Sequence, residues 1–137
     1  MGPSILVVDD DAAALSGLVE LLRSEGYDAV GAGSFEAAVQ ALASMKPDVL
    51  IADVRLAEYN GLHLLHRSRA SHPRMASIVI SGYPDTAIER EATLAGASAF
   101  VLKPLIIPEF LATVARAVGQ RSLSRPGHRP ISRSGWL

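Results

Sequence analysis

Five short apolar runs recur along this chain at fairly even intervals: 4–8 (SILVV), 28–32 (DAVGA), 48–52 (DVLIA), 76–81 (ASIVIS) and 98–102 (SAFVL). Several are nearly continuous Val, Ile and Leu, the pattern of strands covered on both faces. Between them the apolar period becomes helical. Leu15, Leu18, Val19 and Leu22 follow i, i+3, i+4, i+7 spacing, and Gly26 is placed to close that helix. Ser34 can cap a second helix that turns Phe35, Ala38, Val39 and Leu42 inward and stops before Pro47. A third follows Gly61 with Leu62, Leu64 and Leu65 apolar and ends before Pro73; a fourth starts near Pro84. The fifth starts near Pro108 with Phe110, Leu111, Val114 and Val118 as its stripe. Strict alternation of five strands and five helices predicts an α/β, doubly wound (βα)5 domain with a five-stranded parallel sheet wrapped on both faces.

A chain of 137 residues with 49% apolar content supports one such domain and not two. It has no cysteine, which removes disulfides, thiolate metal sites and thiol catalysis and agrees with a reducing compartment. The first apolar run meets acids after Val8, too early for a signal peptide or a membrane span, so a soluble cytoplasmic protein without membrane contact is expected. From Gly119 the helical pattern fails and Ser, Arg, Pro and Gly dominate. The expected division is therefore a folded domain over 4–118 and a flexible basic tail or linker over 119–137. That tail contains Arg121, Arg125, Arg129 and Arg133 and no acid; removing four positive charges from a net of -1 leaves the preceding part at -5.

The chemistry gathers where runs end. Asp9, Asp10 and Asp11 follow the first run directly, and crowded like charges require a counter-charge. In sheets of this kind sites form beyond the carboxyl ends of the strands, where strand order reverses. If the order is 2-1-3-4-5, the flavodoxin-like one, the first and third strands are neighbours and Asp9, Asp10 and Asp53 converge. Ser81 ends the fourth run and Lys103 lies just past the fifth. Lys103 would offset one charge. A hard dication such as Mg²⁺, which takes a few carboxylates with waters and phosphate oxygens, would offset most of the rest.

Four motifs in order, "VVDD", "LIADVRLAEYNG", "VISGY" and "GASAFVLKP", resemble the receiver domains of two-component response regulators over roughly residues 4–118. The resemblance implies that Asp53 accepts a phosphoryl group from a sensor histidine kinase or phosphotransfer protein. It implies Mg²⁺ held by Asp9, Asp10, Asp53 and the Arg55 backbone carbonyl, with Ser81 and Lys103 on the phosphoryl oxygens. Ser81 and Phe100 would be the switch pair, the Lys103-Pro104 bond would be cis, and the fourth helix, fifth strand and fifth helix would form the responding face, through which a homodimer can form. Four positions depart from the family's habit. Ala57 stands where proline is usual, and Asn60 where an acid is frequent. Arg55 and Tyr83, both large, line the entrance, where neither can hold and orient an attacking water.

Blander readings compete for some residues. Asp11 is assigned as a helix cap. His63 and His66 lack a third ligand and fit a solvated face, and "GAGSFE" lacks the third glycine of a dinucleotide loop. Two other functions could share these acids. An Asp-nucleophile phosphohydrolase would need a proton donor two residues after Asp53, where Arg55 stands. A receiver-like interaction module that is never phosphorylated would be expected to lack one of the acids or the lysine. No DNA-binding domain is encoded, so the expectation is a single-domain regulator or a fragment of a longer chain.

Overall fold

The computed structural model describes residues 2–56 and 59–123. In chain order the elements are β1 (Ser4–Val8), α1 (Ala12–Ser24), β2 (Asp28–Ala32), α2 (Phe35–Ser44), β3 (Val49–Asp53), β4 (Arg55–Leu56), β5 (Tyr59–Asn60), α3 (Gly61–Arg69), β6 (Ala76–Ser81), α4 (Thr86–Leu94), β7 (Ala99–Leu102) and α5 (Ile107–Leu123). Five strands form one parallel sheet in the order β2-β1-β3-β6-β7. The other two, β4 and β5, are a two-residue antiparallel pair just after β3. With that pair set aside, the order is the 2-1-3-4-5 anticipated above.

Side chains of the central strands alternate between two apolar layers, as a pleated strand covered on both faces requires. Ile5, Val7, Val49, Ile51, Ile78 and Ile80 face α1 and α5, packing on Leu18, Leu22, Phe110 and Val114. Leu6, Val8, Leu50, Ala52 and Val79 face α2, α3 and α4, packing on Ala38, Leu42, Leu62, Leu65 and Ala92. The helix stripes read from the sequence are the faces that pack. On α5, Ala117 joins them at 2% exposure, a small residue that an apolar stripe of larger ones conceals.

Local signals set the helix ends. Asp11 caps α1 by accepting from the backbone N–H groups of Ala13 and Ala14, and Ser34 caps α2 by accepting from Ala37. Gly26, with φ +93°, ends the turn after α1 in the left-handed conformation that glycine adopts without strain. Asp85 caps α4, one residue past the proline taken as its start. Helix α5 runs beyond the expected boundary at 118/119 and continues through Gly119 to Leu123. A single glycine costs a helix interior about 1 kcal/mol, which an already nucleated helix followed by Gln120 and Arg121 absorbs. The rest of the expected tail, 124–137, and Ala57 lie outside the described residues. Among the described residues no helix is long and apolar enough to cross a membrane.

Candidate functional site

Adjacent parallel strands bring their carboxyl ends together, and the site residues follow from that register. Val8 pairs with Ala52, so Asp9 and Asp53 leave the sheet side by side; Asp53 pairs with Ile80, which places Ser81 next to it. Ser81 pairs with Leu102, and the Lys103 N–H donates to the Ser81 carbonyl at 2.8 Å, which carries the lysine to the same edge. Asp9, Asp53 and Ser81 are buried, at 3%, 8% and 2% exposure. Asp10, which the strand period turns the other way, lies on the surface.

The counter-charge for the acids is Lys103. Its Nζ donates to Asp53 Oδ2 at 2.5 Å and lies 3.5 Å from Asp9 Oδ2. Burial by itself pulls the ammonium pKa down; the hydrogen bond and charge of Asp53, with a smaller contribution from Asp9, outweigh it and raise the value above that of an ordinary lysine. The ammonium is therefore held in its charged form at neutral pH. The other oxygens are also occupied. Asp53 Oδ1 accepts the Arg55 N–H at 2.9 Å, and Asp9 Oδ1 accepts the Asp11 N–H at 2.9 Å.

Among the described residues no three acid, histidine or cysteine side chains are gathered closely enough to hold a metal by themselves. Lys103 stands between Asp9 and Asp53 instead. The donor set nevertheless suits Mg²⁺, which is held through one or two carboxylates, a carbonyl and waters more often than by an all-protein cage. Two buried carboxylates against one ammonium also leave a residual negative charge that a cation would neutralise.

Of the expected switch pair, the Ser81 hydroxyl is engaged by its own loop: it accepts the Tyr83 N–H and donates to the Tyr83 carbonyl, both at 3.1 Å. Phe100 is half-buried and packs on the α2–α3–α4 layer. Arg55 and Tyr83 meet each other at the rim, the guanidinium carbon 4.3 Å from the ring centroid, with Tyr83 52% exposed. His63 and His66 are exposed on α3, as a solvated face requires.

Two supporting residues shape the start of α3. A Cβ on Gly61 would collide with the backbone carbonyl of Asp53, and the Gly61 N–H donates to Val54 at 2.7 Å. The glycine eight residues after Asp53 is thus what lets α3 start against the back of the acid. Asn60 caps that helix, its Oδ1 accepting from Leu62 at 2.7 Å, a task an acid would perform equally well.

A family model described as the response regulator receiver domain matches residues 5–115. The transcriptional regulatory protein ZraR of Escherichia coli is 32% identical over 114 residues, 83% of this chain and 26% of ZraR, so the chain spans about a quarter of that relative. Among solved structures, a response regulator receiver protein from Pseudomonas putida superposes with a TM-score of 0.79 at 34% identity, covering 85% of this chain and 98% of its own. The beryllofluoride-activated NtrC4 receiver domain dimer superposes with a TM-score of 0.81 at 27% identity, covering 86% and 98%.

Proposed function

This chain belongs to the receiver domain family of response regulators, and from that premise we propose that it is a Mg²⁺-dependent phosphorylation switch accepting a phosphoryl group on Asp53 from a histidine kinase or phosphotransfer protein. The observation that carries the proposal is the pair of buried carboxylates, Asp9 and Asp53, joined by the half-buried Lys103 at the carboxyl edge of the sheet. A purely structural ion pair would not need a second buried carboxylate on the same ammonium.

Phosphoryl transfer asks a protein mainly for alignment and charge neutralisation. The Arg55 N–H and Lys103 hold both oxygens of Asp53, so the nucleophile is oriented before a donor arrives. A bond forms between a carboxylate oxygen and phosphorus as the P–N bond of a phosphohistidine breaks, its electron pair returning to the imidazole. Lys103, already charged, can follow the phosphoryl oxygens. Ser81 can do so once its bonds to Tyr83 are exchanged. Mg²⁺, held by Asp9, Asp10, Asp53 and the Arg55 carbonyl, would supply positive charge against the phosphoryl oxygens. Phe100, on the edge strand, is placed to repack when Ser81 moves, so that the modified site is read at the face of α4, β7 and α5. That face exposes Leu94, Leu102 and Ile106, at 73%, 44% and 59%, and suits a homodimer or an output partner.

The chain then catalyses only its own phosphoryl transfer and dephosphorylation, in the cytoplasm where such donors are found. A phosphohydrolase is disfavoured because the position two residues after Asp53 is Arg55, whose guanidinium holds its proton too tightly to serve as a general acid at neutral pH. Incubation with acetyl phosphate and Mg²⁺ should add one phosphoryl group by intact mass, and none to Asp53→Asn. Labelling that survives that substitution, or wild type that takes no label, would refute the assignment.

A further inference from the structure

We propose that Arg55 and Tyr83 form a latch that keeps the Ser81 hydroxyl from Asp53 until a phosphoryl group draws Arg55 off the ring; this rests on the phosphoacceptor reading above. The connections close a circuit. Asp53 Oδ1 accepts the Arg55 N–H at 2.9 Å, so the reacting carboxylate itself sets the backbone of Arg55. The Arg55 guanidinium lies over the Tyr83 ring at 4.3 Å. The backbone of Tyr83 holds the Ser81 hydroxyl as both donor and acceptor, each at 3.1 Å. Ser81 ends the strand whose Ile80 is paired with Asp53, which returns the circuit to its start.

Burial does not hold this loop in place. Tyr83 is 52% exposed; its side chain is attached by the stack with Arg55, and its backbone by the two bonds to Ser81 and by the Asp85 N–H, which donates to the Tyr83 carbonyl at 2.9 Å. A guanidinium over an exposed ring is held by the ring quadrupole alone. Phosphoryl oxygens offer it charge-assisted, bidentate hydrogen bonds, which are stronger. Phosphorylation one side chain away therefore competes Arg55 off the ring, the Tyr83 loop relaxes, and Ser81 becomes available to the new oxygens. Before transfer the same contacts act in reverse. Ser81 can help neutralise the transition state only when the latch opens, so a closed latch slows uptake. Tyr83 is in this sense a positioning residue for Ser81.

The test compares Tyr83→Ala, which removes the ring, with Tyr83→Phe, which keeps it. Both sit at an exposed position, and thermal melts verify that the fold is kept. Phosphorylation by acetyl phosphate in Mg²⁺ should be about two- to fivefold faster in Tyr83→Ala than in wild type, with Tyr83→Phe unchanged. The Arg55 Nε–H resonance gives a readout independent of rate. It should lose its ring-current shift in Tyr83→Ala and, in wild type, on adding beryllofluoride as a phosphoryl mimic. Equal rates for the Ala and Phe variants, or an Arg55 resonance that beryllofluoride leaves unmoved while binding is seen at Asp53, overturns the latch alone. Wild type that takes neither phosphoryl group nor beryllofluoride overturns the phosphoacceptor reading and the latch with it.

Discussion

Strands β3 and β7 deliver the two opposite charges of the site, and the fold holds them very differently. All five residues of β3 are buried between both apolar layers, and the strand ends in Asp53. None of the four residues of β7 is fully buried; it is an edge strand, and Lys103 follows it. The helices repeat the contrast: α3, which starts against the back of Asp53, buries five residues, whereas α4, beside β7, buries only Ala92. On the function proposed above, the acceptor carboxylate stands on the part that is most expensive to disturb, and Phe100 and Lys103, which would answer to it, stand on or just after the strand that is cheapest to move. A switch needs both, because a mobile acceptor would be poorly aligned and a rigid responder could not respond.

The sharpest way to break this comparison is to remove one side chain from each strand. Ile51→Ala empties a fully buried position in β3 and should cost about 3 kcal/mol in urea unfolding, within the range for buried Ile to Ala. Leu102→Ala, at a position 44% exposed on β7, should change stability by no more than about 0.5 kcal/mol. Similar losses for the two would mean the sheet is uniformly held and the division of labour is wrong.

A cation tests the same contrast from the acidic side. If Mg²⁺ binds the folded carboxylates and not the unfolded chain, a hundredfold excess over its dissociation constant adds about 2.7 kcal/mol. The expected outcome is a melting temperature raised by Mg²⁺ in wild type and in Leu102→Ala alike, and unmoved in Asp10→Ala. A shift lost in Leu102→Ala would place the cation on the edge strand's side of the site.

The rigid half of this arrangement was far more legible in the sequence than the mobile half. Continuous runs such as Val49 to Ala52 announce a strand covered on both faces, and with five of them the parallel order follows from few alternatives. Register then brings Asp9, Asp53 and Ser81 together without further information. The pair β4–β5 carried no signal, because strands of two residues have no period to read. Arg55 and Tyr83 were both placed at the rim, but their stacking depends on the course of two loops, which spacing along the chain does not encode. The end of α5 was missed for a related reason: a lone glycine looks like a stop, whereas cooperativity carries the helix past it. Lys103 was expected to neutralise one acid, and its reach to both Asp9 and Asp53 shows only in three dimensions.

A loss smaller than that of Ile51→Ala is expected at Lys103, and it sharpens the comparison most finely, because this residue joins the two regions. Lys103→Met keeps the length of the side chain and removes the charge, leaving two buried carboxylates facing each other. Breaking a fully buried pair costs about 3–5 kcal/mol, but the Lys103 side chain is 35% exposed and water screens part of that, so the loss should be about 1–2 kcal/mol without divalent cations. Mg²⁺ should restore part of it. The pH dependence separates this charge effect from lost packing. The folded pKa of Lys103 lies above its ordinary value, with Asp53 the chief cause of the rise against burial. The folded state therefore holds the proton more tightly than the unfolded one, and the contribution is complete below the unfolded pKa of about 10.4 and disappears as pH rises through the higher folded value. The difference in unfolding free energy between wild type and Lys103→Met should be flat from about pH 7 to 9.5 and shrink above about 10.4, groups common to both proteins cancelling in the subtraction. Adding Asp53→Asn to both proteins removes the main cause of the raised pKa and should reduce the alkaline decline. A difference that stays constant through the alkaline range would mean that Lys103 ties β7 to β3 through its methylenes alone.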